Sequence, residues 1–251
     1  MAADELSRCG SDVLRVRSWR SRTDVAQLTP LSMPGGLTFA HVGDVMNRLR
    51  LRGVHSLVTS AVGPADAAAF LRADFSVREE LQLLNHDLAD VVDAPALVAG
   101  DIMRRPSKGE LPALLKVDAN AFRGFWRFDA PGLQDAIRAT PHTRVRAIEA
   151  ASDHLHREIV AYAVTGRAGR HGFLQRLAVS PEHSGRGLGA YLTLDGLRWL
   201  QRRRCIQGYV NTQIDNHRAL ELYERLGYTA EPHGLLVLQR GPTDGPLGIE
   251  A

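Results

Sequence analysis

The clearest alternation of hydrophobic and polar positions begins at Phe173. Phe173 to Val179 is a short apolar run rich in Leu and Val, of a length that suits a buried strand. Pro181 has no N–H to give to a ladder and marks its end. Gly185, Gly187 and Gly189 follow, and then Leu188, Leu192, Leu197 and Leu200 recur at helical spacing through Arg204. A strand, a glycine loop and a helix start make an anion cradle. Unobstructed backbone N–H groups point outward, and the helix dipole adds positive potential.

The same reading predicts elements on both sides. Val13 to Trp19 alternates apolar and charged residues, as a strand does. A polar segment leads through Pro34, Gly35 and Gly36 to a helix, Leu37 to Leu51, with Val42, Val45, Met46 and Leu49 on one face. A strand (Val54 to Thr59), a helix opened by Pro64 and a strand pair (Phe75 to Leu88) come next. Asp93, Ala94 and Pro95 read as a junction. Beyond it lie a strand, Leu97 to Arg104; helices, Leu111 to Phe122 and Gly132 to Ala139; and strands, Val145 to Ala150 and Ile159 to Thr165. The strand after the long helix is Ile206 to Thr212. Residues 1–11 read as a frayed end, and the tail GPTDGPLGIEA, without periodicity, as disordered.

Composition changes this picture little. The chain has 251 residues, room for one large domain or two small ones. A formal charge of +3 is too small to suggest a nucleic-acid partner. Cys9 and Cys205 match no metal or redox spacing and read as free thiols in a reducing cytoplasm. His154 and His156 stand two apart with no third ligand, which suits a solvated hairpin tip better than a metal site. No apolar run approaches the ~20 residues of a membrane span, and the N-terminus lacks a signal-type apolar region. The expectation is a cytoplasmic protein without metal, membrane or nucleic-acid partner; its oligomeric state is open.

Three families use such a cradle. A Walker A loop needs Gly-Lys-Ser/Thr after its glycines, whereas Leu188, Gly189 and Ala190 follow here. Gly185, Gly187 and Ala190 satisfy the dinucleotide fingerprint, but five residues separate Val179 from Gly185, and the next strand ends on Asn211 and Gln213 without an acid. The third family is the GNAT acetyltransferase superfamily. The stretch Asn216 to Tyr228, NHRALELYERLGY, resembles its signature N-x-x-A-x-x-L-Y-x-x-x-G-[FY]. Val179, Pro181, Gly185, Gly187 and Gly189 resemble its acyl-CoA loop. Ser184 departs from the Gln or Arg usual there, which implies a weakened cofactor contact, not a lost one.

The resemblance implies an α/β (α+β) GNAT fold, a mixed and mostly antiparallel central sheet flanked by helices. It also implies acetyl-CoA as cosubstrate and direct attack of a primary amine on the thioester. The pyrophosphate would rest on the amides of Ser184, Gly185, Arg186, Gly187, Leu188, Gly189 and Ala190. The pantetheine would pair with Leu177, Ala178 and Val179 like an added strand, and Asn216 would hydrogen-bond it. Tyr223 occupies the family's acid position; a phenol near pKa ~10 is protonated at neutral pH. The base is open: Asn211 stands where amino-terminal acetylating members carry Glu, leaving Glu149, Asp118 or a water held by Gln175.

Residues 54–88 and 206–240 share one plan, with Phe70 against Tyr223 and Phe75 against Tyr228, within one residue of slippage. The expectation is therefore a degenerate half-GNAT-like module over 1–93 without Tyr223's proton donor, a catalytic domain over 96–241 and a tail over 242–251. The acceptor reading is a peptide or protein N-terminus, with Phe122, Phe125, Trp126 and Phe128 as an apolar rim. The alternatives are a small-molecule amine, as in the tandem mycothiol synthases that the chain also resembles, and a non-catalytic acetyl-CoA sensor.

Overall fold

The computed structural model describes residues 4–20, 22–31, 36–151 and 157–241. In chain order it begins β1 (Glu5–Cys9), β2 (Asp12–Ser18), β3 (Val25–Pro30), α1 (Phe39–Leu51), β4 (Ser56–Thr59), α2 (Pro64–Arg72) and β5 (Ser76–His86). Then come β6 (Ile102–Arg104), α3 (Leu111–Ala121), α4 (Ala130–Arg138), β7 (His142–Ala151), β8 (Arg157–Ala168) and β9 (His171–Val179). The last elements are α5 (Leu188–Arg202), β10 (Gln207–Gln213), α6 (His217–Arg225), β11 (Thr229–Ala230) and β12 (Leu235–Arg240). This is the expected α/β class, mixed sheet flanked by helices. Contacts divide the chain into two units that interleave in sequence. The first is Met1–Leu83 with Asn211–Asn216 and Glu231–Ala251; the second is Leu84–Val210 with His217–Ala230. His154, His156 and the tail 242–251 lie outside the described residues.

In the first unit the strand order is β1-β2-β3-β4-β12-β5, antiparallel throughout except for the parallel pair β3–β4. Leu14 and Val16 of β2 and Val42, Val45 and Leu49 of α1 are buried in one core with Phe70, Phe75 and Leu238. Thr38 caps α1, accepting from the His41 N–H at 3.3 Å. Three features differ from the sequence reading. Residues 5–9, read as frayed, form β1. Its mostly polar side chains are held by the ladder to β2 and by ion pairs such as Glu5 with Arg52 at 2.9 Å, neither of which leaves an apolar period. Val25–Pro30, read as part of a polar segment, is β3, buried on both faces over Val25–Leu28. And Ser76–His86 is one strand instead of two.

The second unit carries the order β10-β9-β8-β7-β6, antiparallel except for β9–β10, which is parallel, while β11 pairs with the end of β5. β8 is covered on both faces, which explains its unbroken apolar run. Ile159, Tyr162 and Val164 pack with Leu114, Val117 and Leu133 of α3 and α4, and Val160, Ala161 and Ala163 with Leu188 and Leu192 of α5. α5 lies so close that a Cβ on its Gly196 would sit 2.8 Å from Thr165 Oγ1.

One turn occurs twice. At the end of α2, Phe75 N–H donates to Phe70 C=O at 3.2 Å, Asp74 has φ +60°, and the two rings meet edge-on at 5.2 Å. After α6, Tyr228 N–H donates to Tyr223 C=O at 3.0 Å, Gly227 has φ +88°, and the rings are 5.5 Å apart. The aromatic pairs aligned in sequence thus close equivalent helix ends.

Candidate active site

β9 pairs with β10 over Gln207–Tyr209 against His171–Phe173, where that ladder stops. On its other side β9 stays paired with β8 up to Val179. The edge from Leu174 to Val179 therefore carries backbone groups without a strand partner. Leu177 and Val179 turn toward α5, and Ala178 turns toward α3.

A short 3-10 turn, Pro181–His183, leads from β9 to α5. Ser184 N–H donates to Pro181 C=O at 3.0 Å and so closes this turn. The next six amides, Gly185 to Ala190, have no hydrogen-bond partner among the described residues. Gly185 and Gly187 both have φ +78°, the left-handed region in which a Cβ is strained. The space beside them is open: nothing lies within 4 Å of a Cβ at Gly185, and only Pro95 Cγ, at 3.9 Å, near one at Gly187. α5 begins without a side-chain cap, so its first N–H groups and its dipole face this space. The Arg186 side chain points elsewhere. Its Nη2 donates to both carboxylate oxygens of Asp101, at 2.8 and 3.0 Å, and its Nη1 contacts His183 Nδ1 at 2.6 Å, which pins the loop. The loop thus fits a diphosphate by main chain, as the resemblance implies, with Ser184 N–H already engaged.

Tyr223 of α6 is buried in an apolar cluster with Leu84, Leu88, Leu197 and Tyr228, against which Leu177 and Ala190 also pack. Burial raises its phenol well above the ordinary value. His86, 5.4 Å from the Tyr228 ring, accepts from Leu88 N–H at Nδ1 (2.9 Å), and burial lowers its pKa, so it is neutral. Asn216 belongs to the segment Asn211–Asn216 of the first unit, where its amide donates to Thr212 Oγ1 at 3.1 Å; Asn211 is exposed.

The suggested bases fare differently. Asp118 is fully buried and accepts from Arg176 Nε (2.7 Å), Arg176 Nη2 (2.8 Å), Tyr162 Oη (2.6 Å) and Phe128 N–H (2.7 Å). With four donors on its two oxygens and no exposed surface, Asp118 leaves an amine no access, and it is corrected from candidate base to structural partner of Arg176. Glu149 is ion-paired to Arg104, which also holds Glu110. Gln175 keeps a buried Oε1 without a partner. The aromatic segment is also reassigned in part. The Arg176 guanidinium lies 3.5 Å from the Phe122 ring centroid and 3.8 Å from that of Phe128, clamped between them. Sequence reasoning passed over Arg176, although a charge inside the apolar run Phe173 to Val179 signals a buried partner.

Among the described residues no group of His, Cys, Asp and Glu could hold a metal, and no helix is long and apolar enough to cross a membrane. The model of the acetyltransferase (GNAT) family matches residues 112–228. A mycothiol acetyltransferase of Thermobispora bispora is 30% identical over 228 residues, covering 81% of this chain and 75% of the relative. That of Rhodococcus jostii is 30% identical over 184 residues, or 66% of this chain; the match spans only 58% of that relative. Among solved structures, a tandem GNAT protein from the clavulanic acid biosynthesis pathway superposes with a TM-score of 0.69 at 17% identity, covering 94% of this chain and 82% of that one. At that identity the likeness speaks for the fold alone.

Proposed function

This chain belongs to the acetyltransferase (GNAT) family and is an acyltransferase, and from that premise we propose that it acetylates the primary amine of a small molecule, with acetyl-CoA as donor. One observation carries the donor site: six consecutive unpartnered amides, Gly185 to Ala190, stand one short 3-10 turn beyond the free edge of β9. Acetyl-CoA supplies the acetyl group as a thioester. The chain's own part is to hold the diphosphate on those amides and align the pantetheine along Leu177, Ala178 and Val179. An N–H near Val179 would polarise the thioester carbonyl.

The amine nitrogen attacks the carbonyl carbon, the C–S bond breaks, and the departing sulfur takes a proton. Tyr223, protonated across the neutral range, is the donor that the reading assigns to it. The burial that weakens the phenol as an acid also disfavours a naked thiolate, so the transfer keeps its direction. No protein carboxylate is assigned as base. The acceptor therefore enters as the neutral amine or sheds its proton to water, which suits an amine of pKa ~8 better than a lysine at ~10.4.

The acceptor reading draws on the names of the two relatives described above, both mycothiol acetyltransferases. It also follows from the clamp: Phe122 and Phe128 are engaged with Arg176, which removes one motive for a peptide acceptor. The test is incubation with acetyl-CoA, a panel of small amines and a library of N-terminal peptides, with products identified by mass spectrometry. The expected result is acetylated small amines, slowed ~10²–10⁴-fold by Tyr223→Phe. Acetylation of peptides alone would overturn the acceptor; an unimpaired Tyr223→Phe would overturn the acid.

A further inference from the structure

β6 covers only Ala147–Glu149 of β7, so the outer edge of His142–Arg146 has no strand neighbour. Beside that edge lies a cavity of about 1120 Å³ within the second unit. Arg144, Arg146 and Arg167 reach it from β7 and β8, and Trp199, Arg202 and Arg203 from the last turn of α5. Arg105, Lys108 and Arg138 also line it. None of the residues that line it is an Asp or Glu.

Of these cations Arg144 is neutralised, by Asp195 at 2.7 Å. The others have no ion-pair partner among the described residues. Arg146 donates only to Val145 C=O, at 3.3 Å; burial, Arg144 and Arg105 lower its pKa, and Asp195 offsets part of this. Arg167 donates to Gly169 C=O at 3.1 Å and keeps a buried Nε with no acceptor. Arg202 and Arg203 suit the negative end of the α5 dipole and need no ligand. The strand arginines have no such explanation. Two part-buried guanidinium groups with unused donors, among several cations and a single nearby carboxylate already paired to Arg144, are stabilised when an anion joins them. Phosphate offers several acceptor oxygens and matches the guanidinium fork, and the Trp199 indole offers a flat apolar surface beside it.

We propose that this cavity binds an oligophosphate of nucleotide size, seated on Arg146 and Arg167. It is separate from the glycine turn, since the two lie at opposite ends of α5, ~20 Å apart at 1.5 Å per residue. The cleft is open to solvent on one side, and its volume of about 1120 Å³ has room for a ligand of nucleotide size.

The test is calorimetric titration of the full chain with ATP and with inorganic tripolyphosphate, in wild type, Gly187→Glu and two double variants. Both anions should bind, and binding should persist in Gly187→Glu, where the glycine turn is blocked. Arg146→Gln with Arg167→Gln should weaken it at least ~10-fold. Arg202→Gln with Arg203→Gln, both exposed and harmless to folding, should weaken it less and flatten its salt dependence. Tighter binding of ATP than of tripolyphosphate would add Trp199 stacking to the same site. The proposal is overturned if neither anion binds, if binding vanishes in Gly187→Glu but survives the Arg146/Arg167 pair, or if only an oligonucleotide or a polyglutamate peptide binds.

Discussion

Arg176 shows how one side chain ties β9 to α3 and to the segment that follows it. Its guanidinium spends its fork on Asp118 and its two faces on Phe122 and Phe128. A further N–H goes to Trp126 C=O at 2.6 Å. Asp118 in turn holds Tyr162 of β8, whose phenol is raised by burial and by this carboxylate. Arg176→Met would leave the Asp118 charge buried with neutral donors only. We expect a loss of about 3–5 kcal/mol in chemical denaturation, because an uncompensated buried ion is costly. Arg176→Met with Asp118→Leu should recover part of it; a double variant as unstable as the sum of both single changes would refute this. Tyr223 and the glycines were legible in the sequence because a local motif holds them. The Asp118–Arg176 pair was not, because its partners stand 58 residues apart and sequence spacing carries no sign of the contact. Asp118 accordingly stood among the open candidates for a base.

At the scale of the element, the turn before α5 joins conformation to binding. Gly187 is both the left-handed residue before the helix and one of the unpartnered donors. Gly187→Ala should cost about 1–2 kcal/mol from backbone strain, since almost nothing stands near the added Cβ. Gly187→Glu should fold with a similar loss, yet lower acetyl-CoA affinity by ~10² or more, because its carboxylate faces the diphosphate. Unchanged acetyl-CoA affinity in titration would remove the cradle from this turn. Long periodic helices such as α5 were read to within two residues at the C-terminal end. β1, with its polar exterior, and β3, buried on both faces, were missed, since neither shows an alternation to read. Leu97–Arg104 shrank to Ile102–Arg104 for the converse reason: apolar residues alone do not make a strand without a neighbour to pair with.

At the scale of the molecule, the last described strand belongs with the first part of the chain. β12 lies between β4 and β5 in the first unit and buries Val237 and Leu238 there. Expressed as residues 96–251, the chain would keep β12 but lose both neighbours, exposing two ladder edges and an apolar face. We expect that truncation to be insoluble or markedly less stable in thermal unfolding; a soluble, fully active 96–251 would refute it. The arrangement also bears on synthesis. A ribosome delivers β4 and β5 early and β12 only after more than half the chain has followed. Until then the early strands must wait with an empty slot between them, open to any stray extended segment. The N-terminal unit is thus the last to be completed, though the first to be made.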